Sequence, residues 1–211
     1  MTSTFDLRAL MRGFVTAIYP PQCCACGAIG GEPFCATCAR AVESVAPFAI
    51  AGASSARALW AYGGPVAAAI HRFKYRAMPE LGRPLGQALA PLLDALSIDA
   101  LVPVPLSRAR LSERGYNQAR ELARNMSRPV LSRALIRREA REQVGLGKRA
   151  RLLNLVSKKG PIFPGPERVA GLSVALVDDV VTTGATAIAC VAALRRAGAS
   201  SVAVVALSRV T

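Results

Sequence analysis

The sequence feature that most constrains the fold is a strand, helix and strand pattern near the carboxyl end of the chain. The stretch 173–177 is almost wholly apolar, and a second apolar stretch covers 202–207. Between them, Ile188, Val191 and Leu194 lie at helical spacing. A unit of about 35 residues with a helix between two buried strands is typical of a right-handed parallel crossover. The pattern predicts an α/β fold in which a parallel sheet is flanked by helices.

Polar residues are concentrated where the first of these strands is predicted to end. Asp178 and Asp179 follow its last apolar residue, at the edge of the sheet where parallel folds bind ligands. The next residues with hydroxyl groups or an unhindered amide are Thr182, Thr183, Gly184 and Thr186. Carboxylates suit sugar hydroxyls or a magnesium-bound sugar, whereas the amides and hydroxyls at a helix start suit phosphate. A ribose 5-phosphate fits this order, although an ordinary helix-capping turn is the alternative.

Four of the six cysteines indicate a metal site near the amino end of the chain. Cys23 with Cys26 and Cys35 with Cys38 form two C-x2-C pairs. Four thiolates at this spacing are typical of a structural zinc site, while an iron–sulfur cluster and a redox dithiol are the competing interpretations. Cys24 is outside this register, so we expect it to be a bystander. Cys190 lies on the predicted late helix, where we expect a small core residue.

The positive charge is local. The chain carries 27 basic and 13 acidic residues, and 15 of the basic residues against four acidic ones lie between positions 108 and 159. Arginine suits bidentate contact with phosphate, so polyphosphates and nucleic acids are candidate ligands. A solvated basic face is the alternative. Because no apolar run approaches the roughly 18–20 residues that cross a bilayer, we expect a cytoplasmic protein without a transmembrane segment.

The remaining patterns outline two domains. Residues 1–48 would hold an amino-terminal helix and the cysteine module, and 54–211 the α/β domain. Within the latter we expect a strand over 56–62, a helix through Phe73, a proline-bent helix over 81–96 and a helix starting near 115–118. The prolines of 101–105 end a further short strand. The basic stretch 137–160 lacks a sustained period and predicts a long functional loop.

Several motifs of the sequence together resemble those of a known family. The run 174–186 is similar to the phosphoribosyl pyrophosphate (PRPP) signature of type I phosphoribosyltransferases. The likeness extends to the paired C-x2-C motifs, Phe73-Lys74-Tyr75, 102–106 with 114–118, and the positions Gln143, Leu146, Arg151 and Asn154. Together these motifs resemble the ComF (ComFC-like) family. The resemblance implies a zinc module on a phosphoribosyltransferase fold and an association with natural competence, the uptake of DNA.

The resemblance also implies roles for individual residues. Asp178 and Asp179 would hold the ribose hydroxyls and act in catalysis with Arg151. Arg149, Arg151 and Asn154 are at the positions where the family's mobile catalytic loop is expected. The 5-phosphate would be bound by Thr182, Thr183, Gly184, Ala185 and Thr186. Pyrophosphate would lie near Pro103, Val104, Pro105, Arg110, Arg114, Asn117 and Gln118, and Lys74 is a further PRPP-binding candidate.

Two functions follow from these expectations. The first is a glycosyltransferase that uses PRPP and Mg²⁺ with an acceptor the sequence does not identify. The second is a non-enzymatic factor that binds single-stranded DNA and whose PRPP site is regulatory or vestigial. Competence proteins are expected partners in either case.

Overall fold

A computed structural model describes residues 20–138 and 161–211. Its helices are α1 (Ala36–Ala39), α2 (Gly64–Tyr75), α3 (Gly82–Leu89), α4 (Arg108–Arg114), α5 (Gln118–Ala123) and α6 (Ala185–Arg196). Its strands are β1 (Ser55–Ala61), β2 (Ala100–Pro103), β3 (Leu135–Arg137), β4 (Ile162–Pro164), β5 (Ser173–Val181) and β6 (Ser201–Arg209). The predicted helix within 1–19 and the predicted loop positions 139–160 lie outside the described residues.

Four strands form one parallel sheet in the order β1-β6-β5-β2. Successive residues of β5 face opposite sides, as the pleat requires. Val174 and Leu176 pack toward α6, whereas Ala175 and Val177 pack toward α2, α3 and α5. The prediction of a parallel sheet flanked by helices is confirmed.

Strand β5 is longer than predicted. The sequence pattern ends this strand at Val177, but β6 continues to pair with it as far as Val181, which lies opposite Arg209. On the other side, β2 pairs only with residues 174–177. Asp178 and Asp179 are therefore strand residues, and beyond Val177 the β2 side of β5 is open for a ligand.

Several connections also differ from the sequence predictions. The helix expected over 81–96 is divided into the 3-10 turn Pro79–Leu81, α3, and the 3-10 turn Ala90–Leu93, as Pro84 and Pro91 favour. The antiparallel pair of β3 and β4 and the basic helix α4 were not predicted, because both are too short to show a hydrophobic period. No helix among residues 20–138 and 161–211 is long and apolar enough to cross a membrane.

The cysteine module packs on the face of the sheet that is covered by α2, α3 and α5. Cys23 and Cys24 are fully buried and share a hydrophobic cluster with Phe73 of α2. The ring of Phe34 meets the edge of Trp60 of β1 at a centroid distance of 5.0 Å. Residues 43–48 then run along β1, where Phe48 donates its N–H to Ala56 O. This packing places α2 between the cysteines and the carboxyl edge of the sheet.

Candidate functional site

The carboxyl ends of the parallel strands open into a cavity of about 350 Å³. Its acidic wall consists of Asp178 and Asp179, and its basic wall contains Lys74, Arg110 and Arg114. The other lining residues are Tyr62, Val104, Leu106, Arg137, Val180, Thr182, Thr186 and Val210. The fold thus brings residues from six separated segments of the chain to one place.

A smaller pocket of about 60 Å³ adjoins this cavity at the start of α6. It is lined by the whole turn 182–186, together with Asp178, Val180, Val181 and Ala187. A pocket that holds one water needs at least about 10–15 Å³, so this one has room for a small polyatomic group. The first amides of a twelve-residue helix lie at its wall, and such amides favour an anion.

Gly184 gives the turn its shape. Its φ of +75° is left-handed, a conformation that glycine adopts without steric cost. A Cβ atom at this position would lie 2.7 Å from Ile50 Cδ1, which is closer than such atoms approach. The hydroxyl of Thr183 accepts a hydrogen bond from Ala185 N at 3.4 Å, while Thr182 and Thr183 are exposed. Both threonines are therefore exposed residues of the pocket lining.

The two carboxylates differ in their surroundings. Asp179 Oδ2 lies 2.8 Å from the Lys74 ammonium, and the side chain is 11% exposed. Asp178 Oδ1 accepts a hydrogen bond from Asp179 N at 2.9 Å. Burial, and then the neighbouring charge of Asp179, raise the pKa of Asp178 well above its ordinary value. Asp179 is paired with a lysine, whereas Asp178 is ionised at a cost.

The energetic cost of ionising Asp178 predicts that the free energy of unfolding depends on pH. An acid whose pKa is raised by folding destabilises the native state when ionised, so the penalty is absent below the unfolded pKa of about 3.9 and grows as pH rises through the folded value. We expect Asp178→Asn to raise the melting temperature at pH 7.5 and to have no effect near pH 3.5. Because about 1 kcal/mol corresponds to about 2–4 °C in a chain of this size, the rise should be at least about 2 °C.

Thermal unfolding across pH 3.5–8 measures this effect. Asp94→Asn, at an exposed position, is the matched control and should leave the profile unchanged. A variant at Asp178 that melts below wild type at pH 7.5 would contradict the assignment of a raised pKa.

The segment after β2 provides the basic wall. Asn117 Nδ2 donates to Val104 O at 2.9 Å and so fixes the loop that follows the strand. Arg114 Nη1 donates to Gln118 Oε1 at 3.2 Å, and its guanidinium lies 5.2 Å from the centre of the Tyr75 ring. Arg114 Nε and Gln118 Nε2 are buried without a hydrogen-bond partner among the described residues. Unused donors beside an arginine cluster favour an anionic ligand.

Most of the site residues expected from the sequence lie at these two pockets. Lys74, Val104, Arg110 and Arg114 line the cavity, and the turn 182–186 lines the pocket. Pro103 and Pro105 are buried beside the lining residue Val104, and Arg149, Arg151 and Asn154 fall outside the described residues. Sequence reasoning missed Arg137, Val180 and Val210. It also missed Tyr62, although this residue directly follows β1, where the carboxyl-edge rule applies.

A second site is formed by Cys23, Cys26, Cys35 and Cys38, whose sulfur atoms all lie within 4.8 Å of one another. The sulfurs of Cys26 and Cys35 are 3.8 Å apart. A tetrahedral ion with metal–sulfur bonds of about 2.3 Å requires about this separation. The four thiols can therefore hold one metal ion, as their spacing predicts.

The thiols of this cysteine cluster differ from one another. Burial and hydrogen bonds with the other three cluster thiols raise the pKa of Cys38 to about 12. Burial alone would raise the pKa of Cys23, but hydrogen bonds from the amides of Cys26 and Cys35 lower it to about 6. Burial raises the pKa of Cys24 to about 12, and it also raises that of Cys190. Cys24 and Cys190 are fully buried and lie outside the cluster, which confirms Cys24 as a bystander to the four thiols and Cys190 as a core residue.

Comparisons with known proteins agree with this architecture. The model of the phosphoribosyl transferase domain matches residues 82–210. Competence protein ComFC of Bacillus subtilis is 34% identical over 134 residues, which are 62% of this chain and 53% of that protein. Competence protein F of Haemophilus influenzae is 32% identical over 70% of this chain and 69% of its own length. The DNA utilization protein YhgH of Escherichia coli is 33% identical with the same coverage.

Solved structures of similar fold include an allosteric regulatory enzyme of purine biosynthesis. Its TM-score is 0.44 at 21% identity, over 65% of this chain and 30% of that one. Hypoxanthine phosphoribosyltransferase from Trypanosoma cruzi has a TM-score of 0.39 at 12% identity, over 65% and 79% of the two chains. This chain spans about half the length of the Bacillus relative.

Proposed function

Because the chain belongs to the phosphoribosyl transferase family, and within it to the ComF family of competence proteins, we propose that its cavity binds PRPP and supports phosphoribosyl transfer. PRPP carries a phosphate at one end of its ribose, hydroxyls on the ring and a pyrophosphate at the anomeric carbon. Each of these three groups has a chemical complement around the cavity.

The observation that carries the proposal is the junction of the two pockets. Asp178, Thr182 and Thr186 line both the small pocket and the large cavity. A ligand with its phosphate in the pocket therefore extends into the cavity past the carboxylates. An inorganic anion would need only the pocket, whereas a sugar phosphate uses both spaces.

The basic wall suits the pyrophosphate. Lys74, Arg110 and Arg114 lie around the cavity, and planar guanidinium groups bind phosphate oxygens through paired hydrogen bonds. Lys74 of the basic wall also contacts the acidic wall, because its ammonium is paired with Asp179.

In the transfer step, a nucleophilic acceptor bonds to the anomeric carbon as the bond from that carbon to the pyrophosphate oxygen breaks. Positive charge develops on the sugar and negative charge on the departing group. Asp178 and Asp179 would stabilise the first charge, and the arginines the second. Mg²⁺, held by the carboxylate oxygens it prefers, would neutralise part of the pyrophosphate charge when bound. No residue of the chain has to act as a nucleophile.

We further propose that the cysteine cluster holds a structural Zn²⁺. A closed set of four thiolates leaves no open position for substrate, which is typical of structural rather than catalytic zinc. Reduced cysteines and a phosphorylated sugar substrate are both consistent with a protein that acts in the cytoplasm. The names of the relatives favour a role in DNA uptake or DNA use.

A second candidate is a DNA-binding factor in which PRPP only regulates. It is favoured by Arg108 and Arg110 of α4, whose exposed positions would suit a phosphate backbone. Such binding would weaken steeply as salt rises. Pyrophosphate release separates the two candidates, because a regulator binds PRPP without turning it over.

The experiment is a calorimetric titration of the full chain with PRPP and Mg²⁺, followed by a pyrophosphate-release assay with a panel of acceptors. We expect one PRPP per chain. Binding with release identifies a transferase, and binding without release identifies a regulated adaptor. No heat and no thermal shift with PRPP would overturn the proposal.

The turn geometry gives a further prediction. Gly184→Ala places a methyl group against Ile50 and strains a left-handed backbone, so the amides around the phosphate must shift. We expect the PRPP dissociation constant to rise at least about tenfold, which corresponds to about 1.4 kcal/mol, the loss of one hydrogen bond. Calorimetric titration measures the change.

Gly171→Ala is the matched control. Gly171 also has a left-handed φ, of +78°, but nothing lies within 4 Å of a Cβ atom there. Both variants should lose similar backbone stability, and only Gly184→Ala should lose affinity. Equal PRPP affinities in the two variants would contradict a phosphate site at this turn.

A further inference from the structure

The last turn of α2 touches both the cysteine cluster and the cavity, through consecutive residues. We infer that Arg72 is a positioning residue that couples metal occupancy of the cysteine cluster to ligand binding in the cavity. This inference rests on the proposed function, because the ligand used to detect the coupling is PRPP.

On the metal side, Arg72 Nη1 donates to two backbone carbonyls, those of Cys23 and Cys24, each at 2.9 Å. One of these belongs to a residue of the cysteine cluster. The guanidinium also lies against Gly27, where a Cβ atom would be 3.6 Å from Nη2. Gly27 has a left-handed φ of +80° in the turn after Cys26. Arg72 therefore holds the backbone of the first C-x2-C turn rather than its sulfurs.

On the cavity side, Lys74 binds Asp179 at 2.8 Å. Two residues advance an α-helix by about 200°, so Arg72 and Lys74 leave the helix on nearly opposite faces. Between them, Phe73 is fully buried, and its carbonyl accepts a hydrogen bond from the Tyr116 hydroxyl. The helix end is thereby fixed in the core between the two sites.

The next residue extends the connection to the basic wall. Arg114 lies over the Tyr75 ring and its Nη2 is 3.5 Å from the Tyr75 hydroxyl. Tyr75 itself is 55% exposed, so this contact lies at the rim of the cavity. Residues 72–75 thus contact the cysteine module, the core, the acidic wall and the basic wall in turn.

This arrangement has a thermodynamic consequence. A metal on the four sulfurs fixes the turn that carries the Cys23 and Cys24 carbonyls, and these carbonyls fix Arg72. Without metal, α2 loses that restraint and Lys74 loses its defined position beside Asp179. Coupling between two sites is reciprocal, so PRPP must tighten metal binding by the same factor by which metal tightens PRPP binding. Most differences in affinity appear in the dissociation rate, so we expect the tighter binding to be seen as slower metal release.

The test measures both directions on the zinc-loaded full chain. PRPP affinity with Mg²⁺ is determined by calorimetry, and zinc release into excess chromogenic chelator is timed with and without PRPP. For wild type we expect PRPP to slow release about fivefold or more, the lower end of typical coupling. Arg72→Ala should release zinc faster, bind PRPP about fivefold more weakly, and show no effect of PRPP on release.

Two further variants separate positioning from general stability. Arg76→Ala removes an exposed arginine at the end of the same helix and should behave as wild type. Arg72→Lys keeps a charged donor and should restore part of the coupling, which also covers the case in which Arg72→Ala does not fold. A purely structural role would lower the melting temperature but leave the effect of PRPP on zinc release intact, and that result overturns the inference.

The two proposals fail differently. A wild type that binds PRPP, but whose zinc release is unaffected by PRPP, contradicts the coupling alone. A wild type that does not bind PRPP overturns the proposed function and the coupling that depends on it. Faster zinc release from Arg72→Ala would then still establish the contact between Arg72 and the cysteine module.

Discussion

The double variant Asp178→Asn, Asp179→Asn is expected to lose at least about a hundredfold in PRPP affinity and to remain folded. A hydrogen bond to a charged group contributes about 1.5–3 kcal/mol, and two such bonds to the ribose hydroxyls give at least about 3 kcal/mol. Each 1.4 kcal/mol is a factor of ten in the dissociation constant. Calorimetry with PRPP and Mg²⁺ measures the loss, and circular dichroism checks the fold.

Inorganic pyrophosphate is the control ligand for this variant. It has no ribose, so it should bind the double variant as well as wild type, or better because two negative charges are gone. Weakened binding of both ligands would indicate a disturbed site rather than lost sugar contacts. Unchanged PRPP affinity would remove the carboxylates from the site.

The second large effect concerns the metal. Cys26→Ala should abolish stoichiometric zinc binding and lower the melting temperature by about 10 °C or more. Structural zinc contributes apparent binding free energies of about 10–16 kcal/mol in isolated fingers. Half of the lower value, about 5 kcal/mol, would produce the stated shift at about 2–4 °C per kcal/mol in a chain of this size. Metal analysis and thermal unfolding of the purified variant measure both quantities.

Cys24→Ala is the matched control, since the same substitution is made two residues away. Cys24 is fully buried whereas Cys26 is exposed. If packing alone mattered, Cys24→Ala would be the more damaging change. If the cluster holds a metal, Cys26→Ala is the more damaging change, and the reverse order of melting temperatures would contradict the zinc proposal.

Local patterns were sufficient to predict the parallel sheet and the cysteine cluster. Apolar runs with a helical segment between them specify a parallel crossover through chain geometry alone. The two C-x2-C pairs likewise needed only their spacing, because each short turn already directs two sulfurs to one side.

Features that depend on which strands pair with one another were not predicted from the sequence. The end of β5 depends on β6, which extends the ladder to Val181, and no property of residues 178–181 alone signals this. The antiparallel pair of β3 and β4 depends on contacts across 25 positions of sequence, from Arg137 to Ile162. It brings Arg137 to the cavity, and for this reason sequence reasoning missed that residue.

The link between Lys74 and Asp179 illustrates the same limit. Lys74 was a candidate ligand-binding residue from its position in a motif, and Asp179 a candidate from its position after a strand. Only the packing of α2 against the sheet brings the two charges to 2.8 Å. A ligand that enters the cavity must therefore share this lysine with the carboxylate.

The most direct measurement of the central claim is a crystal structure of the zinc-loaded protein with PRPP and Mg²⁺. We expect the 5-phosphate to lie against the turn 182–186, the ribose hydroxyls to contact Asp178 and Asp179, and the pyrophosphate to point toward Arg110 and Arg114. Density for PRPP at any other surface, with the turn and both carboxylates making no contact to it, would contradict the account.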